Sequence, residues 1–129
     1  MNSTLLKAFN NQLNSFVTEL IKTYPQEYNF KVFKNTICLI QKVNPRKVLL
    51  LFIEYITPYK DKLLNRDESF FLDENYTSIV QKTDNQENAW KLINQLKLYW
   101  KDTNNNNKDI IWKYFHQLIT LATLATKSS

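Results

Sequence analysis

Apolar and polar positions recur with a helical period along most of this chain. Between residues 4 and 23, Leu5, Phe9, Leu13, Phe16, Val17, Leu20 and Ile21 fall on one face. Lys7, Asn11, Asn14, Thr18 and Lys22 fall opposite, which predicts an amphipathic helix capped by Asn2 or Ser3. Tyr24-Pro25 predicts its end, because the residue before a proline is pushed out of the α region. Over residues 27–43 a helix gives Val32, Phe33, Thr36, Ile37, Ile40 and Val43 a broad apolar face. Lys31, Lys34 and Lys42 then share the other face, with Cys38 among them. Residues 36–40 also have β character, so a short strand is the alternative; helix is preferred because no partner strand is evident.

Asn44-Pro45 reads as a helix start, Asn capping and Pro in the first helical position. The run from Val48 to Ile56 is apolar almost all round, with Lys47 and Glu54 as its thin polar stripe. A helix over 45–56 is therefore expected at the centre of the fold, ended or kinked by Pro58. Residues 59–64 predict a short helix with Asn65 as its left-handed stop. Phe70, Phe71 and Leu72 are bracketed by Asp67, Glu68, Asp73 and Glu74, which predicts a helical turn or ordered loop plugging the core. Residues 81–88 suit a polar loop tip.

A helix from 84 or 87 to 101 puts Ala89, Leu92, Ile93, Leu96, Tyr99 and Trp100 on one face. Asn104 to Asn107 predict an exposed turn. The last helix, 109–126, is apolar over more than half its circumference and is expected to pack against two neighbours and share the centre; residues 127–129 fray. With no repeat and no linker, residues 1–129 read as a single all-α domain, a compact bundle of five or six helices.

Composition narrows the chemistry. The chain has no glycine, which removes the Walker loop, the dinucleotide fingerprint and the nucleophile elbow. One cysteine permits no intrachain disulfide, and no secretory signal opens the sequence, so an intracellular, not secreted, location is expected. The longest apolar run falls far short of the roughly 20 residues a membrane span needs. The net charge of +5 is unevenly spread, with acidic residues 65–88 between two basic ends. That pattern fits charge complementarity within the fold or an acidic partner.

His116 falls on the polar face of the last helix with no convergent partner, and reads as a surface histidine. Cys38 reads as an inert or modifiable thiol, because no local motif supports cysteine–histidine chemistry. The acidic pairs at 67–68 and 73–74 match no EF-hand, which leaves solvation, capping or an acidic docking edge around Phe70 and Phe71. Trp90 lies off the apolar face and shares a stripe with Asn94, Lys97 and Lys101, which suits stacking or anchoring of a partner. Exposure of Trp90 or Leu98 would favour self-association. Lys31, Lys34, Lys42, Arg46 and Lys47 form a basic group that a nucleic acid would want.

Several strings stand in order along the chain: Asn44-Pro45-Arg46, then residues 52–59 (FIEYITPY), then Asp67-Glu68-Ser69-Phe70-Phe71-Leu72 and Tyr76. Trp100 and Ile111-Trp112-Lys113-Tyr114 follow. Over about residues 44–125 this resembles a group of small helical proteins of giant (nucleocytoplasmic large) DNA viruses. The resemblance implies synthesis in a host cell and a virion, assembly or host-interaction role; it transfers no site residues.

These readings converge on a non-catalytic protein-interaction module that uses no cofactor and no metal. Its expected contact residues are Trp90, Lys97 and Lys101, then Phe70 and Phe71. The alternative is nonspecific nucleic-acid binding or genome packaging through the basic group. An enzyme would need a pocket joining Asp67, Glu68 and His116. A mimic of a cell-death regulator would need a long apolar surface groove.

Overall fold

The computed structural model describes residues 2–72 and 96–127. Among these, all regular structure is helical. Helix α1 is Ser3–Thr23, opened by Asn2, whose Oδ1 accepts from the Leu5 amide at 3.1 Å. Helix α2 is Tyr28–Val43, so the choice at residues 36–40 resolves to helix. A lone β-prone pentapeptide has no ladder partner among the described residues, whereas the helix satisfies its own backbone groups. Helix α3 is Lys47–Ile56, followed by a 3₁₀ turn at Thr57–Tyr59 and by α4 at Lys60–Leu64. The short α5 is Ser69–Leu72, residues 96–100 are helical, and α6 is Asn105–Lys127. No helix among the described residues is long and apolar enough to cross a membrane.

The central pair is α1 with α6, not α3 with α6 as the apolar run suggests. The two long helices run antiparallel: the Asn2 amide donates to the Ala125 carbonyl, and Gln12 bonds Gln117. Phe16 on α1 stacks on Tyr114 at 5.1 Å and meets Phe115 edge-on at 5.4 Å. Helix α3 lies at the margin. Val48, Leu49, Tyr55 and Ile56 are buried, but Leu50 is half exposed and Leu51, Phe52 and Ile53 are only partly covered. The reason is length: about three turns of α3 offer less continuous surface than the six or so turns of each long helix.

Three boundaries differ from the sequence expectation, each for a local reason. Asn44 closes α2, and its Oδ1 accepts from the Arg46 amide at 3.2 Å. Pro45 therefore sits in that turn and α3 begins at Lys47. Asn104 caps α6 by accepting from the Asn107 amide at 2.8 Å, so the asparagine tract is a cap plus a first helical turn rather than a loop. At the end of α4 the left-handed residue is Arg66, with φ 54°, and not Asn65. The Asp67 amide donates to the Lys62 carbonyl at 2.8 Å and the Arg66 amide to the Leu63 carbonyl at 3.3 Å, a Schellman closure.

Arg66 thus holds a conformation that costs a residue with a Cβ roughly 1–2 kcal/mol. Its guanidinium reaches Asp109 at 2.6 Å and ties α4 to α6. Arg66→Ala keeps the backbone cost and loses the ion pair; Arg66→Gly loses both. Urea denaturation is expected to find the glycine variant more stable than the alanine variant by about 1 kcal/mol. The reverse order would show that residue 66 does not hold the left-handed geometry.

Candidate interaction face

Trp90, Asp73 and Glu74, together with the predicted loop tip at 81–88, lie outside the described residues. The other end of the predicted Trp90 stripe is placed. Residues 96–103 are pinned to the corner between α1 and α2. Tyr99 stacks on Tyr24 at 4.8 Å and donates its hydroxyl to Glu27 Oε1 at 2.8 Å. Thr103 donates to the Tyr99 carbonyl at 2.7 Å, so in the 2.5 Å contact between Tyr24 and Thr103 the tyrosine is the donor. Burial raises the Tyr24 pKa above the usual phenol range. The hydrogen bond to Glu27 does the same at Tyr99. On this pinned segment Lys101 and Leu98 are exposed and Lys97 is half-buried.

Phe70 and Phe71 are not docking residues. They are 1 % and 0 % exposed, with Phe71 stacked on Trp100 at 4.1 Å and Phe70 edge-on to Tyr59 at 5.3 Å. They plug the core as the bracketed triplet predicts, but Leu72 is exposed and takes no part in the plug. The acids beside them have structural work. Asp67 Oδ1 accepts from the Ser69 amide at 3.0 Å, and that bond holds its carboxyl below the usual range. Glu68 accepts from Trp100 Nε1 at 3.1 Å and from Lys108 Nζ at 3.0 Å.

His116 is not a free surface histidine. It is half-buried, with Nε2 2.9 Å from the Leu64 carbonyl. A carbonyl only accepts, so Nε2 carries the proton and satisfies an otherwise orphaned carbonyl in the last turn of α4. Asp67, Glu68 and His116 are therefore each engaged with a different structural partner. No cluster of three or more histidine, cysteine or acidic side chains lies among the described residues.

Asp109 joins the α4–α6 tether from the other side, accepting from Arg66 and from Lys113 at 3.0 Å. Those bonds, first from Arg66 and then from Lys113, lower its pKa. A depressed folded-state pKa means that the unfolded chain binds the proton more readily. The stabilisation is present above the ordinary aspartate value of about 3.9 and is lost as pH falls through the lower folded value. Thermal melts below pH 4 or so are expected to show a shallower fall in Tm for Asp109→Asn than for the parent chain. Equal slopes would remove the tether from the acid response.

The face with free chemistry is formed by α2 and α3. Polar bonds fix this corner on α1: Asn10 Nδ2 donates to the Pro45 carbonyl at 3.0 Å, and Asn14 Nδ2 to Gln41 Oε1 at 3.1 Å. A nearly all-apolar cleft of about 80 Å³ enters the bundle here, with Phe33, Ile37 and Leu13 among its deeper walls. Its partly exposed lining residues, Thr36, Ile40, Leu51 and Phe52, sit on α2 and α3, so the mouth lies between those helices. Beside the mouth, Val32, Leu39 and Val43 are 37 %, 64 % and 88 % exposed. The broad apolar face read from the sequence thus divides: Phe33 and Ile37 enter the core, joined by Phe30, whereas Val32 and Val43 face out beside Leu39, and neither Phe30 nor Leu39 belongs to that predicted face.

Of the basic group, Lys42, Arg46 and Lys47 lie at this corner, and Lys31 and Lys34 lie toward the start of α2. Lys31, Lys42, Arg46 and Lys47 are exposed and Lys34 is half-buried. None of the five makes an ion pair among the described residues. Sequence reasoning found the lysines but missed the apolar track beside them. The available signal was the width of the α2 apolar face, which exceeds what one packing neighbour covers. Cys38 is half-buried on the same helix.

No protein-family model matches the chain, and neither curated proteins nor solved structures give a match.

Proposed function

We propose that this chain is a non-catalytic protein-interaction module whose main contact surface is the α2–α3 face. The observation that carries this reading is the apolar cleft whose rim is extended by outward Leu39 and Val43 and bordered by cations without ion-pair partners among the described residues. Large apolar side chains left outward beside a cleft mark interaction surfaces more often than scattered single exposures do. The edge with Leu98 and Lys101 is a second, smaller surface of the same kind. The viral resemblance supports placing the role in virion assembly or host interaction.

The five cations also support a second reading, nonspecific nucleic-acid binding. A salt titration separates the two. If all five contact duplex phosphates, log affinity is expected to fall with log salt at a slope near −4.5, at about −0.9 per contact. Absence of duplex and single-strand binding at low salt removes that reading. Site-specific photo-cross-linkers in the intact chain test the first: discrete protein adducts are expected from the α2–α3 face, and their absence at every exposed position tested would sink it.

A further inference from the structure

Resting on that interaction reading, we infer that the occupant of the α2–α3 face is an acidic amphipathic helix of a partner protein. Shape comes first. The cleft, about 80 Å³, is near half the ~150 Å³ of a leucine-lined cavity that takes up benzene, so it accepts one aliphatic side chain. A nucleotide would find almost no polar partner on these walls. Along α2, Val32, Thr36, Leu39 and Val43 follow at steps of four, three and four residues. At 1.5 Å per residue they make a straight track of about 16 Å. A track of three turns leading past a single-residue hole matches a helix that presents anchors at i, i+3 or i+4, and i+7.

Charge then selects the partner. Lys31 and Lys42 border the track on α2, and Arg46 and Lys47 stand at the corner where α3 begins. Glu54 is the one exposed acid on α3. The local excess is cationic, and like charges placed opposite one another penalise a wrong partner. Two copies of this chain meeting through the face would set lysines against lysines, so a second copy is disfavoured. A nucleic acid would neutralise the cations but leave Leu39 and Val43 without apolar contact. An acidic amphipathic helix satisfies both the charged rim and the track.

The test places a photo-cross-linker at position 39, 43 or 101 of the intact chain in the cells that make it, and sequences the attached peptide. Adducts are expected at 39 and 43. The captured peptide should carry an excess of Asp and Glu and repeat apolar residues at helical spacing. A synthetic copy of it should bind the purified chain, at least tenfold more weakly to Lys42→Glu and to Lys47→Glu and unchanged to Lys60→Glu, at an exposed lysine outside both surfaces. All three sites are exposed, and circular dichroism checks that each variant is folded. A protein adduct at 101 alone leaves the interaction module standing and overturns this occupant. No adduct at any position overturns both. Attachment to nucleic acid, lipid, a second copy of the chain or a basic peptide overturns the inference.

Discussion

Phe71→Ala is expected to destabilise the fold by about 3–5 kcal/mol, the range for truncating a buried aromatic ring. The Phe71 ring is fully buried, stacked on Trp100 at an interplanar angle of 16° and edge-on to Trp112 at 5.4 Å. Trp100 in turn meets Trp112 at 5.2 Å, and Lys108 Nζ lies 5.0 Å from the Trp100 ring centroid. Removing the phenyl ring leaves a hole among the rigid rings of Phe70, Trp100, Trp112 and Phe115, which cannot close around it. Helix α5 has four residues and no helical stability of its own, so its two buried rings are what fasten it to the bundle. Leu72→Ala, one residue on and 44 % exposed, is expected to cost about 0.5 kcal/mol or less. Urea denaturation midpoints compare the two. Equal losses at 71 and 72 would mean that the segment is not a plug.

The second large effect lies on the α1–α6 seam. Phe16→Ala is expected to cost about 3–5 kcal/mol, because Phe16 is 1 % exposed and faces two rings of α6. Leu50→Ala on α3 is expected to cost far less, since that side chain is half exposed and little transfer energy is lost. The comparison reads out which helices form the centre. A loss at Leu50 in the 2–5 kcal/mol range typical of buried leucine would restore α3 to the middle of the fold.

Much of the fold was legible because local rules and packing agree. The α1 stripe through Phe9, Leu13, Phe16, Val17 and Leu20, the Tyr24-Pro25 stop and the plugging role of Phe70 and Phe71 follow from period, backbone sterics and burial of rings, although Leu6 is buried at the first turn where the period pointed to Leu5, and Ile21 is only partly covered. The end of α4 was not legible in detail. Asn tolerates the left-handed region better than Arg, yet the Schellman hydrogen bonds set the position one residue later, and Arg66 gains Asp109 there. The asparagine tract misled because four polar residues look like a loop, while a single cap at Asn104 suffices to start a helix. His116 looked free because its acceptor, the Leu64 carbonyl, is 52 positions away in sequence.

The candidate site was half legible. The lysines of α2 and the α2–α3 corner can be read from the chain, and so can the apolar character of their neighbours. Which apolar residues turn inward depends on where α1, α3 and α6 lie, and no local pattern carries that. By itself the sequence determined that this protein is helical, where most helices start and stop, and which stripe of α1 is buried, because hydrogen bonding, proline sterics and periodicity act over a few residues. Only the tertiary structure decided that α1 and α6 form the centre, that Phe70 and Phe71 are withdrawn from the surface, and that Leu39 and Val43 stand beside an open cleft. Those outcomes are fixed by competition among distant surfaces for the same limited buried area.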